Sequence, residues 1–219
     1  MELKTAKKTL IYALHSGNLY GTEQMAIATC DGLRAGFDVW IFAPAGLAVK
    51  EAKRMNFGTR TFSGAKDFIK KLQPILAENN ELGFIATGIV HSFALIILNL
   101  FYRQKVSHLH VVHGGTDERL SYGRKKLLNY FDVKLVAVSE FVKERLITHG
   151  VRAEKIKVIE NFLIPERVAN FPKRLPFNQN GIKKVAIISR IDPIKRIELL
   201  LNALDTHPEL SGLDFTIYG

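Results

Sequence analysis

Apolar residues in this chain fall into two alternating patterns: short continuous runs, and longer segments in which they recur every three or four positions. The runs over residues 9–15 (TLIYALH), 37–42 (FDVWIF), 59–62, 84–90, 108–113, 133–138 and 157–160 read as strands. Between them, residues 22–34, 47–55, 65–79, 92–103, 120–131 and 140–149 carry helical spacing, the last stopped by Gly150. Pro74 is expected to kink or shorten the third helix, because it removes a backbone donor and crowds the preceding turn. Strands that are apolar almost throughout, each followed by a helix, predict an α/β fold with a parallel sheet covered on both faces.

The pattern changes after Asn161. Residues 165–181 hold three prolines and little periodicity, the composition of a linker. A new strand starts at Lys184, followed by a helix and a last strand over 213–218. One such unit falls short of the roughly 50 residues of a small domain. The expected organisation is a first domain over 1–164, a linker over 165–182 and the opening of a truncated second domain over 183–219. The alternative is that the last unit packs against the first domain.

Residues 185–204 (VAIISRIDPIKRIELLLNAL) read as a buried strand, a tight turn and an amphipathic helix. Asp192 takes the N-cap position and Pro193 the first helical position. Ile194, Ile197, Leu201 and Leu204 form one core-facing stripe. Lys195 and Arg196 then crowd the first turn, with Arg190 at the preceding strand end, although a helix N-terminus favours anions. A bound phosphate would resolve that conflict. Basic side chains directed into water would also resolve it.

Composition narrows the picture. The chain has 219 residues, 47% of them hydrophobic and 24% charged, as in a globular protein with a substantial core. One cysteine, Cys30, excludes an internal disulfide framework and a cysteine-rich metal site. The basic, apolar start fits a first strand better than a signal peptide. The most apolar segment, 93–102 (FALIILNLFY), is about half the roughly 20 residues that cross a bilayer, and reads as a buried helix. The net charge of +10 lies mostly within residues 1–164. It suits a polyanion, an anionic membrane surface, or solubility alone.

Two strand-to-helix loops are candidate sites. His15-Ser16-Gly17-Asn18-Leu19-Tyr20-Gly21-Thr22 is small and polar, suited to an anion or a sugar hydroxyl, or simply a tight turn. Its glycine spacing is wrong for a dinucleotide fingerprint, and the second strand ends without an acidic residue for a ribose. His113-Gly114-Gly115 follows a strand at the end where open α/β sheets bind ligands, so His113 is either a donor to a sugar hydroxyl or a structural histidine. His108 and His110 share a strand face but lack a third metal ligand. No nucleophile elbow is present, and Cys30 lies inside a helical pattern. Arg124, Lys125 and Lys126, beside Leu127, Leu128, Tyr130 and Phe131, form either a membrane-facing patch or a solvated helix face.

Taken together, four ordered stretches resemble family 4 (group 1) glycosyltransferases of the GT-B fold. They are HSGNLYGTEQ, VVHGG, VAVSEFVKERLITHGVRAEKIKVIENFLIP, and SRIDPIKR followed by IELLLNAL. The resemblance implies two Rossmann-like domains, the first binding acceptor and the second a nucleotide diphosphate sugar. It assigns Arg190 and Lys195 to the donor diphosphate, and Gly17 and Gly21 to the donor phosphate and sugar. It assigns His113 to the transferred sugar, as the catalytic-site histidine. Asn18, Tyr20, Thr22, Gly114 and Gly115 fall on the acceptor side. Retention of configuration is implied, with no metal and no cofactor besides the donor substrate. The chain departs from the family at Lys195-Arg196, where Lys-Gly is usual. The paired glutamates of the donor site belong further along the second domain than Gly219.

The sequence therefore points to a glycosyltransferase portion that is not active alone. Its expected setting is cell-envelope polysaccharide synthesis, in the cytoplasm or peripheral to the inner membrane face, with a glycan or lipid-linked acceptor. The alternative is a non-catalytic module that binds acceptor or partner. Nucleic-acid binding is not expected, since no recognition motif accompanies the basic charge.

Overall fold

The computed structural model describes residues 7–115, 118–162, 184–189 and 191–219. The chain divides into two compact units, Met1–Val168 and Ala169–Gly219. The first holds seven parallel strands: β1 (Lys8–Ala13), β2 (Phe37–Ala43), β3 (Gly58–Thr61), β4 (Glu81–Ala86), β5 (Lys105–Val112), β6 (Lys134–Ala137) and β7 (Ile156–Val158). Their order in the sheet is β3-β2-β1-β4-β5-β6-β7. The connecting helices are α1 (Gly21–Leu33), α2 (Leu47–Arg54), α3 (Ala65–Glu78), α4 (Ile89–Tyr102), α5 (Glu118–Ser121) and α6 (Glu140–Thr148). The expected parallel α/β architecture is present.

Side-chain alternation sends the two faces of β1 into separate cores. Leu10, Tyr12 and Leu14 pack with Ile27 and Cys30 of α1 and with Ala48, Val49 and Ala52 of α2. Ile11 and Ala13 pack on the other face with Phe68, Leu72 and Leu76 of α3 and Leu95 and Leu98 of α4. A third cluster joins Leu135 and Ala137 of β6 to Val142 and Leu146 of α6. Ser139 caps α6, its hydroxyl accepting the Val142 N–H at 3.2 Å.

Several expectations are corrected. The apolar run 84–90 is not one strand. It breaks after Ala86 at Thr87-Gly88, and α4 starts at Ile89. Helix α3 runs through Pro74 to Glu78, so the proline, on its exposed side, does not shorten it. Segment 120–131 is not a regular helix but the end of α5 followed by a 3-10 segment, Gly123–Tyr130. The Lys125 ammonium bonds the Leu120 carbonyl at 2.8 Å, which a continuous helix would use for its own ladder. Helix α4 is not buried all round. Ile97, Leu100 and Phe101 are 54%, 67% and 79% exposed. Among the described residues no helix is long and apolar enough to cross a membrane.

In the second unit β8 (Lys184–Ile188) pairs in parallel with β9 (Asp214–Tyr218). The helix expected from Pro193 is interrupted. A 3-10 turn covers Pro193–Lys195, and α7 (Ile197–Thr206) begins only after Arg196. Arg196 has φ 51°, in the left-handed region, which breaks the run. Asp192 thus opens a short turn, its carbonyl accepting the Lys195 N–H at 2.8 Å. Leu201 is exposed, so the half-buried stripe is Ile197, Leu200 and Leu204. The Ile194 side chain lies outside the described residues.

Candidate functional site

A cavity of about 670 Å³ lies at the C-terminal ends of the strands of the first unit. Loops after β1, β2, β3, β4 and β5 all reach it, through His15, Pro44, Ser63, Thr87 and His113 respectively. Strand order reverses between β1 and β4, where open parallel sheets form a crevice. That crevice is stapled at its base. Thr87 Oγ1 accepts the His15 N–H at 3.1 Å and lies 2.9 Å from His15 Nδ1.

Histidines and one lysine supply the polar wall. His91 stands on α4 against Phe62 and Phe68, with ring centroids 5.0 and 4.7 Å away. His91 Nδ1 and His113 Nε2 are buried without a hydrogen-bond partner. Burial, with a smaller effect of His15, pushes both pKa values down to about 4, so both rings are neutral at pH 7. Behind them Ser92 Oγ bridges His110 Nδ1 at 2.9 Å and His108 Nε2 at 3.0 Å. These two strand histidines are buried parts of the scaffold. Burial holds His108 down to about 4 and His110 well below its ordinary value. Cys30 is buried in the core, and burial pushes its thiol up, which leaves it inert.

The sequence-derived site residues separate into groups. Thr22, His113 and Gly114 line the cavity. Gly114 has φ 86°, and this left-handed bend turns the chain just after His113. Gly115 is exposed outside the lining, and a Cβ there would meet Ser121 Oγ. Gly17, Asn18, Tyr20 and Gly21 also fall outside the lining. Gly17 packs on the loop after β2, and Asn18 N–H donates to Ser16 Oγ at 3.0 Å. Tyr20 N–H donates to buried Glu23 at 3.1 Å, so a carboxylate of the chain itself serves the N-terminus of α1. Gly21 begins α1 with open space around it.

Arg190 lies outside the described residues, and Lys195 is exposed on its 3-10 turn. The basic trio is corrected at one position. Arg124 and Lys126 are exposed, but Lys125 is buried, turned inward to Leu120 O and lining the cavity. It is not membrane-facing. The chain's own pattern concealed His91, Thr87 and Gly88, because Thr87-Gly88 sits inside an apolar run. The small-residue pair after FIA was the available signal. Among the described residues no three His, Cys, Asp or Glu side chains stand together as a metal site.

Residues 20–167 match the model of Glycosyltransferase Family 4. No curated protein is significantly similar to the chain in sequence. Among solved structures, the chain is similar to HepE from Anabaena in complex with UDP and glucose. That match has TM-score 0.67 and 18% identity and covers 96% of this chain and 60% of that one. A glycosyltransferase from Rickettsia africae matches with TM-score 0.62 and 16% identity, over 98% of this chain and 69% of that one. A UDP-GlcNAc 2-epimerase from Neisseria meningitidis bound to UDP-GlcNAc matches with TM-score 0.54 and 15% identity, over 95% and 64%. At such identities the likeness is one of fold, the GT-B arrangement. The chain spans 60% to 69% of the length of these structures.

Proposed function

The chain belongs to glycosyltransferase family 4, and on that footing we propose that it is the acceptor-side portion of a retaining glycosyltransferase. It carries in addition the first elements of the donor side. The enzyme would move a sugar from a nucleotide diphosphate sugar to a glycan or lipid-linked acceptor in cell-envelope polysaccharide synthesis. The observation that carries this reading is the cavity at the β1–β4 reversal, to which the loops after β2, β3, β4 and β5, all within the family-matched residues, contribute. Solved complexes of HepE with UDP and with UDP-glucose support a nucleotide sugar as donor.

His113 serves as a neutral partner of a hydroxyl on the transferred sugar. With its pKa near 4 it is not a cationic acid at neutral pH. Arg190 and Lys195 hold the donor diphosphate. Calorimetric titration with UDP, GDP and their sugars tests the assignment. Arg190→Ala and Lys195→Ala should each weaken binding about tenfold or more, the value of one charge-assisted hydrogen bond. Equal affinity in parent and variants would remove Arg190 and Lys195 from the donor site. Binding without transfer would favour the non-catalytic module.

The membrane reading moves from the basic trio to a broader face. Val90, Ile97, Leu127 and Arg124 line one shallow apolar groove, and Phe101 lies one turn beyond Ile97 on α4. Exposed Arg124 and Lys126 supply the charge for an anionic lipid surface. Flotation with phosphatidylglycerol vesicles should recover the protein at low salt and lose it for Phe101→Asp. Failure to float at low salt would remove this face as a membrane contact.

A further inference from the structure

The cavity holds one cation that the described structure leaves without a counter-charge. Lys125 is only 7% exposed, although a buried ammonium is costly unless paired. Its one partner among the described residues is the Leu120 carbonyl at 2.8 Å, and an ammonium has three donors. No Asp or Glu occurs among the described residues that line the cavity. The neighbouring charge, Arg124, is of the same sign. Burial first, and this neighbour second, hold Lys125 down to about 8. Two further ring nitrogens of the lining, His91 Nδ1 and His113 Nε2, are buried and unpartnered.

A lysine that merely tied down Leu120 would gain one hydrogen bond to an uncharged carbonyl for the burial of a full charge, a poor exchange. Described residues that offer one ammonium, the neutral imidazoles of His91 and His113 and no carboxylate are instead complementary to an oxyanion. We propose that the acceptor bound in this cavity carries a phosphate or carboxylate group, and that Lys125 Nζ is its counter-charge. His91 and His113 donate to its oxygens or to the hydroxyls beside it, according to their tautomers. This inference rests on the glycosyltransferase reading and adds an anionic substrate class to it. It also explains why Lys125, unlike Arg124 and Lys126, points inward.

The test is a calorimetric titration of the full chain with glycerol phosphate and, separately, with glucuronate at constant ionic strength. The proteins compared are the parent, Lys125→Met and Lys195→Met. One of the two ligands should bind the parent, and its identity tells phosphate from carboxylate. Lys125→Met should bind it about ten- to a hundredfold more weakly, with Lys195→Met unchanged. Equal affinity in Lys125→Met, or no binding of either ligand to the parent, overturns the subsite. Loss in Lys195→Met alone also overturns it, by moving the anion to the donor residues, while the glycosyltransferase reading stands. UDP titrated in parallel reports on that reading separately. Should Lys125→Met fail to fold, acetylation of the parent mapped by peptide mass spectrometry decides. Protection of Lys125 by the bound ligand supports the subsite, and undiminished labelling overturns it.

Discussion

Acidification from pH 6.5 towards 4 should strip the first unit of stability. His91, His108 and His113 have pKa values near 4 in the folded chain, and His110 also lies well below its ordinary value. Burial is the first cause in each case. The unfolded chain takes up these protons near pH 6.5, so between the two values it binds more protons than the native state. Stability is therefore full above about pH 6.5 and falls as the pH drops. Each histidine adds a slope of up to about 1.4 kcal/mol per pH unit. The four are neighbours, and protonating one hinders the next, which spreads the loss over the window.

The lowered pKa values of Asp67 and Glu81, which come first from hydrogen bonds to lysines, give up their stability only as the pH falls through the ordinary values of 3.8 and 4.5, at the acid end of this range. Urea unfolding at pH 7.5, 6.0 and 5.0 measures the effect. His91→Phe, set among Phe62 and Phe68, should keep the stability at pH 7.5 and flatten the acid limb. A pH-independent midpoint across this range would contradict the burial of the cluster.

The second large effect is steric. Gly46→Ala should cost about 3 kcal/mol or displace the first loop, at the upper end for an overpacked contact. A Cβ on Gly46 would lie 2.2 Å from Gly17 O and 2.7 Å from Gly17 C. The reverse change is no easier, because a Cβ on Gly17 would lie 2.5 Å from Ala45 O. Every atom in these clashes is backbone, and the Ala48 N–H pins the loops together through Gly17 O at 3.0 Å. Gly46 itself is extended, so torsional preference does not enter. Gly21→Ala is the matched control. Its Cβ would meet nothing within 4 Å, and its stability should be unchanged or slightly raised. Equal midpoints for Gly46→Ala and the parent would mean that these loops do not touch. The small size of Gly17, read from the sequence as room for a ligand, is accounted for by its neighbouring loop.

Strands were legible because a sheet covered on both faces demands nearly continuous apolar runs, and residues 9–15 and 133–138 supply them. The same rule hid the bend at Thr87-Gly88, since Ile89 and Val90 extend the run while already belonging to a helix. His91 went unseen with it. Helix periodicity could not anticipate Arg196, where a non-glycine residue takes a left-handed conformation in the position the family gives to glycine. Nor could it tell Lys125 from its neighbours. Three adjacent basic residues look alike in a string, and only the 3-10 winding of Gly123–Tyr130 turns one of them inward. His113 was legible because its place at a strand end follows from topology alone.

The position of β1 also dictates the order in which this protein can be made. Among the described strands β1 precedes the others in the chain, yet it lies inside the finished sheet, bonded to β2 on one side and to β4 on the other. The staple between His15 and Thr87 spans 72 residues. At roughly 5–20 residues per second of synthesis, the second edge of β1 waits several seconds for its partner. During that interval β1–β3 with α1 and α2 form a half-sheet whose Ile11 and Ala13 have no α4 to cover them. Such long-range parallel pairing folds slowly. The exposed edge of β1 on the nascent chain is thus where a chaperone would bind, or where misassembly would begin.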